Sequence, residues 1–134
     1  MKRLLDASSL ILLIKNADVK STVQCLLDSL ILDLTFYEIG NAIWKENTLT
    51  KFLTPQEAEK LGTMTQTILA KINRVTSETE AFQKILEIAQ TEKLSYYDSS
   101  YVYVAKEKAL TLITEDKELR TKAQKYVDTR TVAT

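Results

Sequence analysis

No histidine occurs anywhere in the 134 residues. Its absence removes the side chain most often used as a general base near neutral pH, and with it the Ser-His-Asp triad, the Cys-His dyad and any mechanism that relies on an imidazole. Cysteine is nearly absent too: Cys25 alone excludes an internal disulfide and any zinc site built from several thiolates or from thiolates and imidazoles. The longest apolar run, Leu10 to Ile14, falls far short of the ~20 residues of a membrane span. Asp6 interrupts the start too early for a secretory leader, so a cytoplasmic protein without membrane contact is expected. With two glycines, one proline and no repeat, nothing marks a linker, and residues 1–134 read as one continuous domain. Any chemistry must be carried by carboxylates.

What is present is the composition of a folded protein, 45% hydrophobic and 27% charged. The 18 basic and 18 acidic side chains cancel, so no global charge attracts nucleic acid. Short apolar runs alternate with helical stretches, which predicts an α/β fold with about five short strands and helices on the sheet faces. Arg3 to Asp6 reads as a buried strand. Ser8 or Ser9 can cap an apolar helix over Leu10 to Ile14, and Asp18 a second with Val23, Leu26, Leu27 and Leu30 on one face. Ile31 to Leu34 is a second strand. Thr35 to Glu46 is then a helix with Phe36, Gly40 and Ile43 at helical spacing and Glu38 in its first turn.

Thr54-Pro55-Gln56-Glu57 is a capping box with proline at the first helical position, and its helix runs to about Lys71. Asn73 to Val75 is brief and extended. Ser77 with Glu80 forms a second capping box, opening a helix that buries Ala81, Phe82, Ile85, Ile88 and Ala89. Ser95 starts a helix with Tyr101, Val102, Ala105 and Ala109 inward. Leu110 to Thr114 is the clearest strand, followed by a charged helix from Asp116 and an edge strand over Val127 to Arg130.

Helices returning between parallel strands bring strand ends and helix starts to one edge of the sheet. By that rule Asp6, Glu38, Asp98 and Asp116 gather at the carboxyl edge, where open α/β folds place their sites. Four acids there repel one another and raise each other's pKa unless cations intervene. An oxygen-only donor set suits Mg2+ or Mn2+ beside a substrate phosphate, so the pattern predicts a divalent-metal phosphodiester hydrolase. Each acid also has an ordinary structural reading: Asp6 and Asp116 as helix caps, Asp98 as a helix-dipole partner, Glu38 as a solvated side chain. Those readings leave unexplained why Asp6 and Glu38 are set among apolar neighbours, where an unpaired charge costs several kcal/mol.

Four segments carry a family resemblance: Leu4-Leu5-Asp6-Ala7-Ser8-Ser9-Leu10, Tyr37-Glu38-Ile39-Gly40-Asn41-Ala42-Ile43-Trp44-Lys45, Tyr97-Asp98-Ser99-Ser100-Tyr101-Val102-Tyr103-Val104-Ala105 and Leu110 to Leu119. In order, spacing and total length the chain resembles PIN-domain ribonucleases of the VapC toxin type. The resemblance implies a three-layer α/β/α domain with a short, mostly parallel five-stranded sheet. It implies Asp6, Glu38, Asp98 and Asp116 as metal-binding and catalytic acids, supported by Ser8, Asn41 and Thr114. It further implies Mg2+ or Mn2+ as cofactor, RNA as the endonuclease substrate, a homodimer, and a small antitoxin as inhibitory partner. The chain departs from the family where a glycine often precedes the last main strand; here stand Glu107-Lys108-Ala109.

Removal of one ligand, as in Asp6→Asn, is expected to abolish cleavage and leave the fold intact or slightly stabilised. Lys15, Lys45, Lys51, Lys117, Arg120 and Lys122 are candidates for RNA phosphates or solvated surface charge. The Thr54 to Lys71 helix has a mixed surface suited to a dimer contact or an antitoxin groove. Trp44 and the tyrosines read as packing residues, and Cys25 as a small buried hydrophobe. A receiver domain needs paired acids after the first strand and a lysine after the last, and a haloacid-dehalogenase-like phosphatase needs Asp-x-Asp. Asp6-Ala7-Ser8 supplies neither. The non-enzymatic alternative is a catalytically silent PIN-like module that binds RNA or protein.

Overall fold

The computed structural model describes residues 2–16, 20, 24 and 26–133. The expected cap at Asp18, the helical position of Val23 and the burial of Cys25 fall outside them. Five strands form one parallel sheet: β1 (Arg3–Leu5), β2 (Ser29–Leu32), β3 (Asn73–Val75), β4 (Thr111–Ile113) and β5 (Thr129–Arg130), in the order β3-β2-β1-β4-β5. All four strand pairings are parallel. Six α-helices occur among the described residues: α1 (Ala7–Asn16), α2 (Asp33–Trp44), α3 (Pro55–Leu69), α4 (Phe82–Glu92), α5 (Tyr96–Glu107) and α6 (Lys117–Ala123).

The three layers follow from the two-residue period of the strands. Leu4, Leu32 and Leu112 point to one face and pack with Tyr101, Val102 and Ala105 of α5 and Leu119 and Ala123 of α6. Leu5, Ile31 and Ile113 point to the other and pack with Leu10 and Ile14 of α1, Ile39 of α2, and Leu61 and Ile68 of α3. Each such side chain, fully buried, contributes about 1.5–3 kcal/mol relative to exposure. Both faces covered is the condition under which a short parallel sheet is stable. No helix among the described residues is long and apolar enough to cross a membrane.

Several boundaries differ from the sequence reading. Asp33 and Leu34 belong to α2 rather than to β2, which places Glu38 in the second helical turn. The buried face of α2 is Thr35 and Ile39, while Phe36 is exposed, its ring held under the Arg74 guanidinium at 5.0 Å. Leu30 lies in β2 and Leu27 is 74% exposed, so they share no helical stripe. The Thr54–Glu57 capping box forms as expected, with both reciprocal bonds present. The Ser77–Glu80 box does not: a 3-10 turn occupies Thr79–Ala81 and α4 starts at Phe82, which is exposed. Ala109 faces solvent with φ 53°. Trp44 is half exposed.

Candidate functional site

The β1–β4 register builds the centre of the site. Arg3, Leu4 and Leu5 lie opposite Thr111, Leu112 and Ile113, so the next residues, Asp6 and Thr114, leave the sheet side by side. The Thr114 hydroxyl donates a short hydrogen bond to Asp6 Oδ2. Asp6 Oδ1 accepts from the Ser8 hydroxyl at 2.7 Å and from the Ser9 backbone N–H at 3.0 Å. Asp6, not Ser8 or Ser9, is therefore the residue that caps α1, and its buried charge is met by the Ser9 N–H and the Ser8, Ser9 and Thr114 hydroxyls. Ser8 Oγ in turn accepts the Glu115 N–H at 3.1 Å, and Thr114 Oγ1 accepts the Asp116 N–H at 3.1 Å. Both hydroxyls thus tie the loop after β4 to the loop after β1.

The other three acids arrive from separate elements. Asp116 caps α6 through Oδ1, which accepts the Leu119 N–H at 3.0 Å. Ser95 caps α5 by accepting the Asp98 backbone N–H, and the Asp98 carboxylate itself makes no hydrogen bond among the described residues. Burial, followed by repulsion from Asp116, Glu38 and Asp6, pushes the Asp98 carboxyl up to about 6. Burial likewise raises Glu38; the Tyr101 hydroxyl bond opposes that rise and the Asp6 charge adds to it. The four acids are thus close enough to feel one another. Asn41 is exposed, and its side chain makes no hydrogen bond among the described residues.

Two contributors escape a reading by motif, Tyr101 and Thr35. Tyr101 Oη donates to Glu38 Oε1 at 2.6 Å and lies 2.7 Å from Thr35 Oγ1. Their signal in the sequence is faint: each polar group stands three residues from an acid, on the buried side of its helix. Of the candidate phosphate contacts, Lys15 pairs with Glu46 at 2.9 Å and Lys122 with Glu118 at 2.8 Å. Arg120 donates to the Thr114 carbonyl at 2.9 Å and so braces the end of β4.

The donor chemistry fits a hard divalent cation, since every candidate ligand is an oxygen and mutual repulsion disfavours four bare carboxylates. No three acids among the described residues converge into a ready-made ligand cage. Mg2+ and Mn2+ are hard ions that suit such an oxygen donor set together with retained waters and a substrate phosphate.

Comparison with known proteins agrees with this geometry. The PIN-domain family signature matches residues 3–125. Exonuclease VapC9 of Pyrobaculum aerophilum is 34% identical over 102 residues, 76% of this chain and 72% of that protein. The crystal structure of PAE2754, also from Pyrobaculum aerophilum, superposes with a TM-score of 0.78 at 30% identity, covering 96% of this chain and 90% of that one. The chain belongs to the PIN-domain family, in its VapC type.

Proposed function

We propose that the chain is a nuclease that hydrolyses RNA phosphodiester bonds within the strand, with Mg2+ or Mn2+ held by Asp6, Glu38, Asp98 and Asp116, and that it is the toxin of a toxin–antitoxin pair. The observation that carries this reading is the gathering of four carboxylates from four elements at the carboxyl edge of the sheet in a chain of this family. When bound, a divalent cation lowers the pKa of a water and offsets charge on the phosphate. The residues supply the rest. Asp6, fixed by Ser8, Ser9 and Thr114, is the rigid anchor. Asp98, whose carboxylate makes no hydrogen bond among the described residues, is the one left free to take a proton from the attacking water.

The test is cleavage of end-labelled linear RNA and of a circular RNA during Mg2+ and Mn2+ titrations. Glu38→Gln and Asp98→Asn run in parallel to exclude contaminating nucleases. Metal-dependent cutting of both substrates, reduced on the order of a hundredfold or more in each variant, is expected. The name of the 34% identical relative favours a second reading, removal of nucleotides from an end. Cutting of the linear RNA alone selects it. Absence of cleavage, with Mn2+ raising the melting temperature of the wild type no more than it raises that of Asp98→Asn, selects the silent binding module.

The inhibitory antitoxin and a homodimer belong to the same proposal, as does a cytoplasmic location. Tyr37, Trp44, Leu49 and Phe52 on α2 and the segment after it are exposed, a surface suited to a partner.

A further inference from the structure

Tyr101 heads the fully buried side chains, in the cluster between the sheet and α5. A phenol ring there needs no hydroxyl to fill its space, yet a buried hydroxyl must find partners. This one has two, on another helix. The proton directions follow from counting hydrogens. Leu32 N–H donates to Thr35 Oγ1 at 3.2 Å. An ionised carboxylate only accepts, so the single Tyr101 proton goes to Glu38 Oε1 at 2.6 Å and the Thr35 proton must point at the Tyr101 oxygen at 2.7 Å. One unbranched line of donors therefore runs from the backbone at the end of β2 through α2 and α5 to a single oxygen of Glu38. Bonds aligned in this way strengthen one another in a low-dielectric setting.

We propose that Tyr101 is a positioning residue for Glu38 and that Thr35 orients it, the two holding Oε1 so that Oε2, which no protein donor among the described residues engages, is the oxygen presented to a divalent cation. The proposal rests on the reading of the four acids as a cation-dependent centre. Glu38 projects from the second turn of a helix with a long side chain, so without the hydroxyl its carboxylate samples several rotamers. Fixing it in advance lowers the cost of binding.

Mn2+ binding to the full chain, followed by calorimetry and by the shift in melting temperature, tests this in the wild type, Tyr101→Phe, Thr35→Val, Thr35→Ser and Glu38→Gln. Loss of an outer-shell partner typically weakens metal binding roughly 10–100-fold. Tyr101→Phe is accordingly expected to raise the Mn2+ Kd about tenfold, and Thr35→Val to do so by several-fold. Thr35→Ser, which keeps the hydroxyl, is expected to restore binding to near the wild-type value. A tyrosine that only fills the core predicts unchanged Mn2+ affinity in Tyr101→Phe, and that result overturns the proposal. If Tyr101→Phe does not fold, the Thr35 pair decides, and equal affinity in Val and Ser overturns it equally. Loss of Mn2+ binding in Glu38→Gln but not in Tyr101→Phe refutes the positioning role alone. A wild type that binds no Mn2+ refutes the cation centre and the positioning role together.

Discussion

Asp6 and Asp98 carry the same charge at the same edge of the sheet, and their surroundings make them respond oppositely to amide substitution. Asp6 is met at Oδ1 by the Ser8 hydroxyl, the Ser9 N–H and the Ser9 hydroxyl, and at Oδ2 by the Thr114 hydroxyl. In Asp6→Asn one of those oxygens becomes an NH2 group that cannot accept, so at least one of these charge-assisted bonds is lost or must reverse, with the Thr114 hydroxyl accepting where it had donated. A loss of about 1–2 kcal/mol of stability is expected, in place of the neutral or stabilising effect that charge repulsion alone suggests. Asp98 has repulsion and burial without compensating donors, and its carboxyl is raised from 3.8 to about 6. Because the unfolded chain titrates near the ordinary value, the folded state binds more protons between these two pH values. Stability therefore falls as pH rises from about 4 to about 6, and the penalty is fully present above 6. A shift of this size corresponds to about 3 kcal/mol unscreened, reduced to about 1–2 kcal/mol by partial solvent exposure. Asp98→Asn is thus expected to be more stable than the wild type at pH 7.5 in EDTA, with the gap closing near pH 4. Urea unfolding at the two pH values measures this, and a wild type more stable at pH 7.5 would contradict the repulsion. Saturating Mn2+ is expected to narrow or reverse the gap.

At the scale of elements, the end of α5 shows a local conflict between residue and backbone. Leu110 N–H bonds the Ala105 carbonyl at 2.8 Å and Ala109 N–H the Lys106 carbonyl, the pair that closes a helix by a left-handed residue. That residue is Ala109, at φ 53°. Glycine takes this conformation without the Cβ penalty, so Ala109→Gly is expected to raise stability by about 0.5–1 kcal/mol and Tm by roughly 2–4 °C. Thermal unfolding in the absence of metal reads the difference, and a lower Tm would refute it. The sequence shows the departure from glycine here; that it falls on the left-handed position emerges only from the structure.

The same contrast between local and distant causes explains what else was legible. Thr54, Pro55 and Glu57 announce a helix start because every bond involved lies within four residues. Ser77 and Glu80 spell the same signal, but the chain continues through a 3-10 turn that buries Ala81, and α4 begins later. Phe36 fits an apolar stripe until Arg74, 38 positions on, covers it from β3 and leaves Thr35 and Ile39 to face inward. The shared edge of Asp6, Glu38, Asp98 and Asp116 was readable because strand ends and helix starts fix which edge such residues occupy. The Thr35–Tyr101–Glu38 line was not, since it joins residues 66 and 63 positions apart whose meeting depends on how α2 and α5 pack.

At the scale of the whole molecule, the strand order places Asp6 and Asp116 at the ends of neighbouring strands β1 and β4, from which the chain winds outward in opposite directions. This is the switch point where open parallel sheets form their crevice. On the proposed reading, the charge distribution then sets how RNA would be held there. Setting the four acids aside leaves 18 basic against 14 acidic side chains, so an acidic sheet edge sits in a body of +4. Much of that positive charge is already engaged: Lys15, Arg74, Lys122, Lys125 and Arg130 are in ion pairs, and Arg120 is bound to the Thr114 carbonyl. Of the six basic candidates, Lys45, Lys51 and Lys117 make neither a side-chain ion pair nor a side-chain hydrogen bond among the described residues. Three phosphate contacts on a single strand release about two counterions, from a slope of about −0.7 per contact. Binding of a non-cleavable RNA at fixed Mn2+ is therefore expected to weaken with salt at a logarithmic slope near −2. A slope steeper than about −4 would demand a basic surface that the ion pairs have already consumed. In EDTA the four acids are expected to repel phosphate, and Asp98→Asn, by removing one of those charges, is expected to bind the same RNA more tightly than the wild type. Addition of Mn2+ is expected to tighten wild-type binding more than that of the variant.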